Sequence, residues 1–541
     1  MKLRLSLFTL IIFSISASSQ NFQWAKSMGG IYDDISKSIA VDGSGNIYTT
    51  GCFMDTIDLN PGVGVNNLTS AGGYDIFISK LDASGNFVWA KSMGGPDNDG
   101  AYSITTDASG NVYTTGGFSG TADFDPGVGV SNLTSSGFED VFISKLDASG
   151  NFVWAKRIGE FLTYIGYSIS VDVAGNVYIT GFMGGNIFIS KLDVSGNLVW
   201  TKTIWGDKGM AGSSIALDAS GNIYITGILA GMADFDPGPG TFNLRAVGSS
   251  DIFILKLDAS GNFVWAKNMG GTNDAHGQSI AIDGSGNVCT TGNFYGTVDF
   301  NPGTGVNNLT SAGLNDVFIL KLDASGNFLW VKSMGGTNED GSASVAVDGS
   351  GNIYTTGVFM DTADFDPGAG VNNLISAGGY DIFISKLDAS GNFVWAKRMG
   401  GTNYEQGNSL AVDVTGNIYT TGGFRGTADF DPGAGVNNLI SKGSTDIFVS
   451  KLCIYNVGIN ESSNQNLFSV FPNPATNQIN IEIDASLVGS AYAIYDEVGK
   501  TILNGKLNSE KTNIDLNNLA AGIYLFNVEG NAKRTYKFIK Q

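Results

Sequence analysis

Apolar and polar residues alternate in short runs along most of this 541-residue chain, and turns rich in Gly, Asp and Ser end each run before a helical period can develop. Residues 103–107 form one such run, 108–110 (Ala-Ser-Gly) a turn, and 111–118 a second run rich in Val, Tyr and Thr. A loop follows, then a third run at 141–147, another Ala-Ser-Gly turn and a fourth run at 152–157. Four runs separated in this way predict a four-stranded antiparallel sheet. In DIFISKLD at 75–82, Ile76 and Ile78 fall on one face while Phe77 and Leu81 fall on the other, so both faces need cover.

The stretch repeats. Tryptophans of an N-[FL]-x-W pattern stand at Trp24, Trp89, Trp154, Trp200, Trp265, Trp330 and Trp395, spaced by 65, 65, 46, 65, 65 and 65 residues, which makes seven units. The turn Asp-x-x-Gly-Asn recurs thirteen times between Asp42 and Asp413. Its Asp can bond the backbone two residues on and its Gly can take the positive φ that a tight hairpin demands. Sheets stacked radially against two neighbours are covered on both faces, and a closed ring needs no capping repeat. The expected fold class is therefore all-β, a seven-bladed β-propeller of four-stranded antiparallel blades. A linear β-solenoid is the alternative, but its rungs are normally shorter than these units. The seventh unit reads DIFVSKL at 446–452, then Cys453, and no N-F-x-W run follows. That run stands instead at 21–24, so the N-terminal strand is expected to pair beside 446–452 and complete the last blade, which removes two sheet edges. Over 21–453 the units resemble the SBBP-type β-propeller repeats of bacterial surface proteins, a resemblance that implies the fold and leaves the activity open.

The ends of the chain speak to its destination. Lys2 and Arg4 precede an apolar run at 5–15 and small residues at 16–19, the pattern of a cleaved signal peptide over 1–20. The run is shorter than the roughly 20 residues that span a bilayer and no later segment is long enough, so no transmembrane segment is expected. Beyond Cys453 a polar linker (454–466) leads to a domain of different rhythm at 467–541. Its landmarks, FPNP at 471–474, YDEVG at 495–499, LAAGIY at 519–524 and KFIK at 537–540, resemble the type A C-terminal sorting domain of type IX secretion. That resemblance implies a small Ig-like β-sandwich, engagement of the type IX secretion machinery, and a propeller released from or held at the cell surface.

Composition narrows the chemistry. A net charge of −20 disfavours nucleic acid and anionic lipid, leaving neutral, cationic or metal-bridged partners. Cys52, Cys289 and Cys453 occupy unrelated places in the repeats and are expected as small buried residues rather than a disulfide framework. His276 is the single histidine, expected in a solvated inter-strand loop of the fifth unit, and no G-x-S-x-G, H-E-x-x-H or P-loop pattern occurs. Paired carboxylates could hydrolyse glycosides, yet nothing selects one pair among 50 acidic residues. The expected role is non-enzymatic: binding, adhesion or display, with an extracellular glycan or protein as ligand. The alternatives are a carbohydrate-active hydrolase or lyase on the propeller, or a structural surface-layer protein.

One motif invites a site. Between their second and third strands six units carry Asp58-Leu-Asn60, Asp123-Phe-Asp125, Asp234-Phe-Asp236, Asp299-Phe-Asn301, Asp364-Phe-Asp366 and Asp429-Phe-Asp431, each followed by Pro-Gly, whereas the third unit has only Gly184-Gly185. The motif reads either as an Asx turn with its aromatic tucked onto the blade, or as a calcium or cation site at Asp123, Asp125, Asp234, Asp236, Asp364, Asp366, Asp429 and Asp431. These loops and the connections between units should emerge on one side of the ring. They would gather there with Asp33, Asp34, Asp97, Asp99, Asp274, Glu339, Asp340 and Glu405 in an acidic face, notched at the short third unit.

Overall fold

A computed structural model describes residues 19–455, 468–496, 500–520, 522–528 and 534–540. The leader expected at 1–20 and the linker expected at 454–466 lie almost wholly outside the described residues. One compact unit is Asn21–Cys453, and the second contains the C-terminal strands.

The first unit consists of seven four-stranded antiparallel sheets. Blade one is Ile35–Val41, Ile47–Asp58, Asn67–Leu81 and Phe87–Met93. Blades two to seven begin with Asp99–Thr106, Tyr164–Val171, Ala211–Leu217, Ala275–Ile282, Gly341–Val347 and Gln406–Val412. Blade seven supplies three strands itself and takes Ser19–Gly30 as its fourth, alongside Asn438–Tyr455. The sequence puts it there because the last unit lacks its own N-F-x-W strand.

First strands pair only with the second strand of their own blade and lie against the first strands of both neighbouring blades, so their free edges face the ring axis. A serine repeated in every unit uses that edge. Ser38 Oγ accepts from Ile104 N at 3.2 Å, Ser103 from Ile169 N, Ser168 from Ile215 N, Ser214 from Ile280 N, Ser279 from Val345 N and Ser344 from Leu410 N. Ser409 then accepts from Ile39 N at 3.3 Å, which closes a circle of seven bonds and satisfies backbone donors that no strand pairs.

Blades are tied together twice more. The Trp89 indole donates to Ala148 O in the next blade at 3.3 Å, and Gly150 of that turn, at φ +77 to +84 like its counterparts, packs on the same ring, so a Cβ would sit 3.0 Å from it. Lys80 donates to the same carbonyl and lies 5.0 Å over the Tyr48 ring, whose hydroxyl donates to the turn residue Asp42. At the other end of the blade, the close of each fourth strand pairs with the excursion between second and third strands of the next blade, as in Gly29↔Asp58, Trp205↔Asp234, Gly335↔Asp364 and Gly400↔Asp429. Blade three has no excursion, since Val177–Met183 turns straight into Asn186–Leu192, and it receives no such pairing.

The C-terminal unit has two sheets. Phe468–Phe471, Gln478–Ile483 and Lys511–Asp515 form one; Thr501–Lys506, Ala491–Tyr495, Gly522–Val528 and Arg534–Lys540 form the other. Ile479, Ile481, Ile494, Phe526 and Phe538 from both sheets share one core, the sandwich expected from the tail motifs.

Candidate functional site

Each first strand contains a one-residue bulge: the register against the second strand skips Lys37, Tyr102, Tyr167, Ser213, Gln278, Ala343 and Asn408. The skipped residue immediately precedes the ring-forming serine, and in all seven blades it is half-buried. Side chains from these positions run along the inner edge. Asn408 Nδ2 donates to Ser36 O of the next blade at 2.9 Å, and the Tyr102 and Tyr167 rings meet edge-on at 5.8 Å. The bulge lies near the start of the first strand, so these residues ring the channel at the end where blades are joined and the excursions emerge.

What marks this ring is variation. The seven units share their turn, core and inter-blade residues almost letter for letter, yet the bulge position carries Lys, Tyr, Tyr, Ser, Gln, Ala and Asn. A second variable position stands nearer the loop end, just before the third strand's conserved Asp or Asn: Tyr74, Glu139, Gly185, Ser250, Asn315, Tyr380 and Thr445. Exposure alone does not explain the drift, because the exposed Ala83-Ser84 pair recurs as Ala148-Ser149, Ala259-Ser260, Ala324-Ser325 and Ala389-Ser390. Glu139 folds over Gly117, where any Cβ would meet its carboxylate, and lies within electrostatic reach of Tyr102 and Tyr167. Burial raises the Glu139 carboxyl above its ordinary range and, with Glu139 close by, pushes the Tyr102 hydroxyl up to about 12.

Carboxylates expected on the loop face divide into two groups. Asp33, Asp97, Asp274 and Glu339 are exposed or half-exposed, but Asp34, Asp99, Asp340 and Glu405 are buried. The reason is backbone chemistry: Asp34 accepts from Gly30 N at 2.6 Å and Met54 N, Asp99 from Gly95 N and Ser119 N, Asp340 from Gly336 N and Met360 N, and Glu405 from Gly401 N. Each stands near a second buried acid at the start of a third strand, pairing Asp34 with Asp446, Asp99 with Asp75, Asp340 with Asp316 and Glu405 with Asp381. Desolvation, reinforced by the neighbouring acid, raises Asp34, Asp99, Asp340 and Glu405 to about 7. The Oδ1 atoms of Asp75, Asp316, Asp381 and Asp446 and Oε1 of Glu405 are buried and receive no N–H. The raised values imply one proton held between the two acids of each pair. A cation would want six or more oxygens, and each pair offers only one or two uncommitted ones. Where the position of Asp34 holds Tyr164, Met210 or Ala275 instead, the third-strand residue has another partner or another identity: Asp140 pairs with Arg157, Asp251 accepts from Asn268, and blade three has Asn186.

In the Asp-x-Asp loops the carboxylates accept backbone amides of their own turn. Asp123 Oδ1 accepts from Asp125 N and Ser131 N, and Asp125 Oδ1 from Gly127 N. Asp234 and Asp236, Asp364 and Asp366, and Asp429 and Asp431 repeat the scheme. The central Phe124 is buried between Phe118 and Phe142. One pair sits in each of these blades, and among the described residues no three His, Cys, Asp or Glu side chains converge to hold a metal ion.

His276 does not lie in a loop. It belongs to the first strand of blade five, half-buried, where Nε2 stands 2.9 Å from Ser250 Oγ, and that hydroxyl donates to Asp274 at 2.8 Å. With the serine proton given to Asp274, the imidazole donates to Oγ, the reverse of what a general base does for a nucleophile. Burial lowers the imidazole pKa, against the opposing charge of Asp274. Position alone could not foretell this, since Ser250 is 26 residues away and meets His276 only through strand register. Cys52 and Cys453 are half-buried, Cys289 is buried, and all three are free thiols.

Residues 23–51 match the family described as a beta-propeller repeat, and residues 469–541 match the secretion system C-terminal sorting domain. Among curated proteins the chain is similar to an uncharacterized WD repeat-containing protein of Acanthamoeba polyphaga mimivirus, 25% identical over 74% of this chain and 31% of the relative. It is also similar to regulatory protein FlaEY of Caulobacter vibrioides, 28% identical over 27% of this chain and 15% of the relative. The chain thus spans a minor part of either relative's length. Similar solved structures include Sqt1 from Chaetomium thermophilum, with TM-score 0.40 and 11% identity, covering 80% of this chain and 99% of that one. PorZ, a surface component of the type-IX secretion system of Porphyromonas gingivalis, has TM-score 0.30 and 12% identity, with 94% and 81% covered. Among the described residues no helix is long and apolar enough to cross a membrane. SBBP-type repeats folded into blades and a type IX sorting domain behind them make this chain a β-propeller protein secreted to the cell surface or exterior.

Proposed function

We propose that the propeller is a non-catalytic binding module, displayed on or released from the cell, which takes its ligand at the channel mouth ringed by the bulge residues. One observation carries this reading: units that agree in turn, core and exposed hairpin differ at the mouth in nearly every blade. Seven copies of one fold share one set of structural demands, so a position that differs between them answers to something other than the fold. Bulges re-aim side chains, and here each one lies on the strand whose free edge faces the ring axis. The arrangement at Ser250 and His276 adds support for a non-catalytic role, because its proton runs the wrong way for an activated serine.

The test is an array of extracellular glycans and peptides probed with the full chain, with a Tyr102→Ala/Tyr167→Ala variant, and with a Ser84→Arg/Ser149→Arg variant on the opposite hairpin face. Retention lost in the first variant and kept in the second is the expected result. Release of hydrolysis products from any retained ligand would replace this reading with an enzymatic one.

A further inference from the structure

We infer that the ligand of this mouth is an uncharged, polyhydroxylated one, a neutral glycan segment; the inference rests on the placement of the binding site proposed above. The seven bulge positions carry one charged side chain, Lys37, and Glu139 lies within electrostatic reach of Tyr102 and Tyr167, in a chain of net charge −20. A phosphate, sulfate or carboxylate ligand wants a cluster of Arg or Lys, and a cationic ligand wants a carboxylate cage; the bulge ring offers neither, and the rim carboxylates Asp33, Asp274 and Glu339 each accept from a neighbouring hydroxyl, of Ser444, Ser250 and Tyr380.

What it does offer is split across the ring. Blades one to three contribute tyrosines, with Tyr102 and Tyr167 in edge contact across the blade boundary and Tyr74 within electrostatic reach of Cys52, which also neighbours Tyr102, and blade six adds Tyr380, whose hydroxyl donates to Glu339. Blades four to seven contribute Ser213, Gln278 and Asn408, small donors and acceptors that hold no charge. Aromatic faces take the C–H face of a pyranose, and amides and hydroxyls that both donate and accept match its hydroxyl groups. The bulge residues are half-buried rather than exposed, so each offers only part of its side chain to a ligand. A protein partner would ask for about 800 Å² of accessible patch on this side, whereas a ring of half-buried side chains suits a narrow chain or chain end.

Affinity electrophoresis and titration calorimetry of the full chain settle it, with soluble neutral polysaccharides (β-1,3-glucan, β-1,4-glucan, xylan, mannan), polygalacturonate and dextran sulfate as anionic counterparts, and a random peptide library as third arm. The expected result is retardation by at least one neutral polysaccharide, weakened tenfold or more in Tyr102→Ala and in Tyr167→Ala and weakened also in Gln278→Ala. Each variant should keep the wild-type melting temperature within a few degrees, since the bulge side chains belong to no core cluster. Binding of anionic polymers alone, or of peptides alone, abolished by the same variants, overturns the glycan assignment while the mouth stands as the site. Neutral-glycan binding that all three variants leave intact overturns both.

Discussion

A glycine facing an aspartate decides how closely two strands approach at the loop end of each blade. Asp316 starts the third strand of blade five and rests directly on Gly335 of the fourth, where an alanine Cβ would lie 2.5 Å from the carboxyl carbon. The same pairing joins Asp75 to Gly94, Asp140 to Gly159, Asp251 to Gly270, Asp381 to Gly400 and Asp446 to Gly29. Blade three confirms the coupling from within the chain: it has Asn186 in place of the aspartate, and Trp205 in place of the glycine, swung out and 61% exposed. Gly335→Ala should therefore destabilise the propeller by about 1–3 kcal/mol, the usual range for overpacking. Adding Asp316→Ala should recover part of that loss, a non-additivity that urea denaturation of the two single variants and the double variant would measure. Strictly additive effects would remove the steric account. Both letters are plain in the sequence, but their contact is not, because 19 residues and a strand register separate them.

At the scale of elements the repeat was highly legible. Blade boundaries, hairpin turns, the short third unit and the completion of blade seven all follow from letters that recur at fixed offsets, since each offset serves one mechanical task. Less legible was the destination of acidic residues. The Asp-x-Asp loop reads first as a turn and second as a cation site, and its letters do not say which amides its carboxylates accept. Asp364 Oδ1 accepts from Asp366 N at 3.0 Å and from Asn372 N at 2.8 Å, which leaves that atom committed. Asp364→Ala should cost about 1–3 kcal/mol through those two amides, with the same loss in calcium and in chelator. A loss confined to calcium-containing buffer would restore the cation reading. The bulge ring was invisible for a related reason: a skipped residue has the same spacing in the sequence as a paired one, and only the register of first against second strand reveals it.

The molecule as a whole combines two opposed proton economies. Hydrogen bonds from turn amides and Asn side chains outweigh burial and hold turn aspartates such as Asp42, Asp107 and Asp413 below their ordinary range. Burial instead raises Asp75, Asp316 and Asp446 to about 6 and Asp34, Asp99, Asp340 and Glu405 to about 7. Charges facing these acids are few: Lys442 near Asp446, Arg398 on Asp381, and Asp33 and Asp97 beside Asp34 and Asp99. An unfolded carboxyl titrates near about 4. Between that pH and the raised native values the folded ring holds protons that the unfolded chain has released, so stability falls as pH rises from about 4 through about 7 and is flat above. Below about 4 the turn aspartates take protons in the unfolded chain first, and their contribution is lost on further acidification. Thermal melts should thus rise on going from pH 8 to pH 5, and Asp75→Asn with Asp316→Asn should flatten part of that slope while raising the melting temperature at pH 8. A profile that climbs with pH over this window would contradict the shared-proton assignment. Ring closure makes a last demand on the whole molecule. Met28 and Ala25 on the closing strand are 1% and 8% exposed, and Trp24 packs on Gly85 of blade one. A chain that begins at Ile31 loses those contacts and leaves the outer edge of Asn438–Tyr455 unpaired, an invitation to pair with another copy. Its melting temperature should fall further than for any single substitution above, and light scattering should show association. A synthetic peptide of residues 21–30 should reverse both effects in a concentration-dependent way, as a ligand that binds only the folded ring must. A shortened chain that stays monomeric and melts like the full one would mean the ring does not depend on that strand.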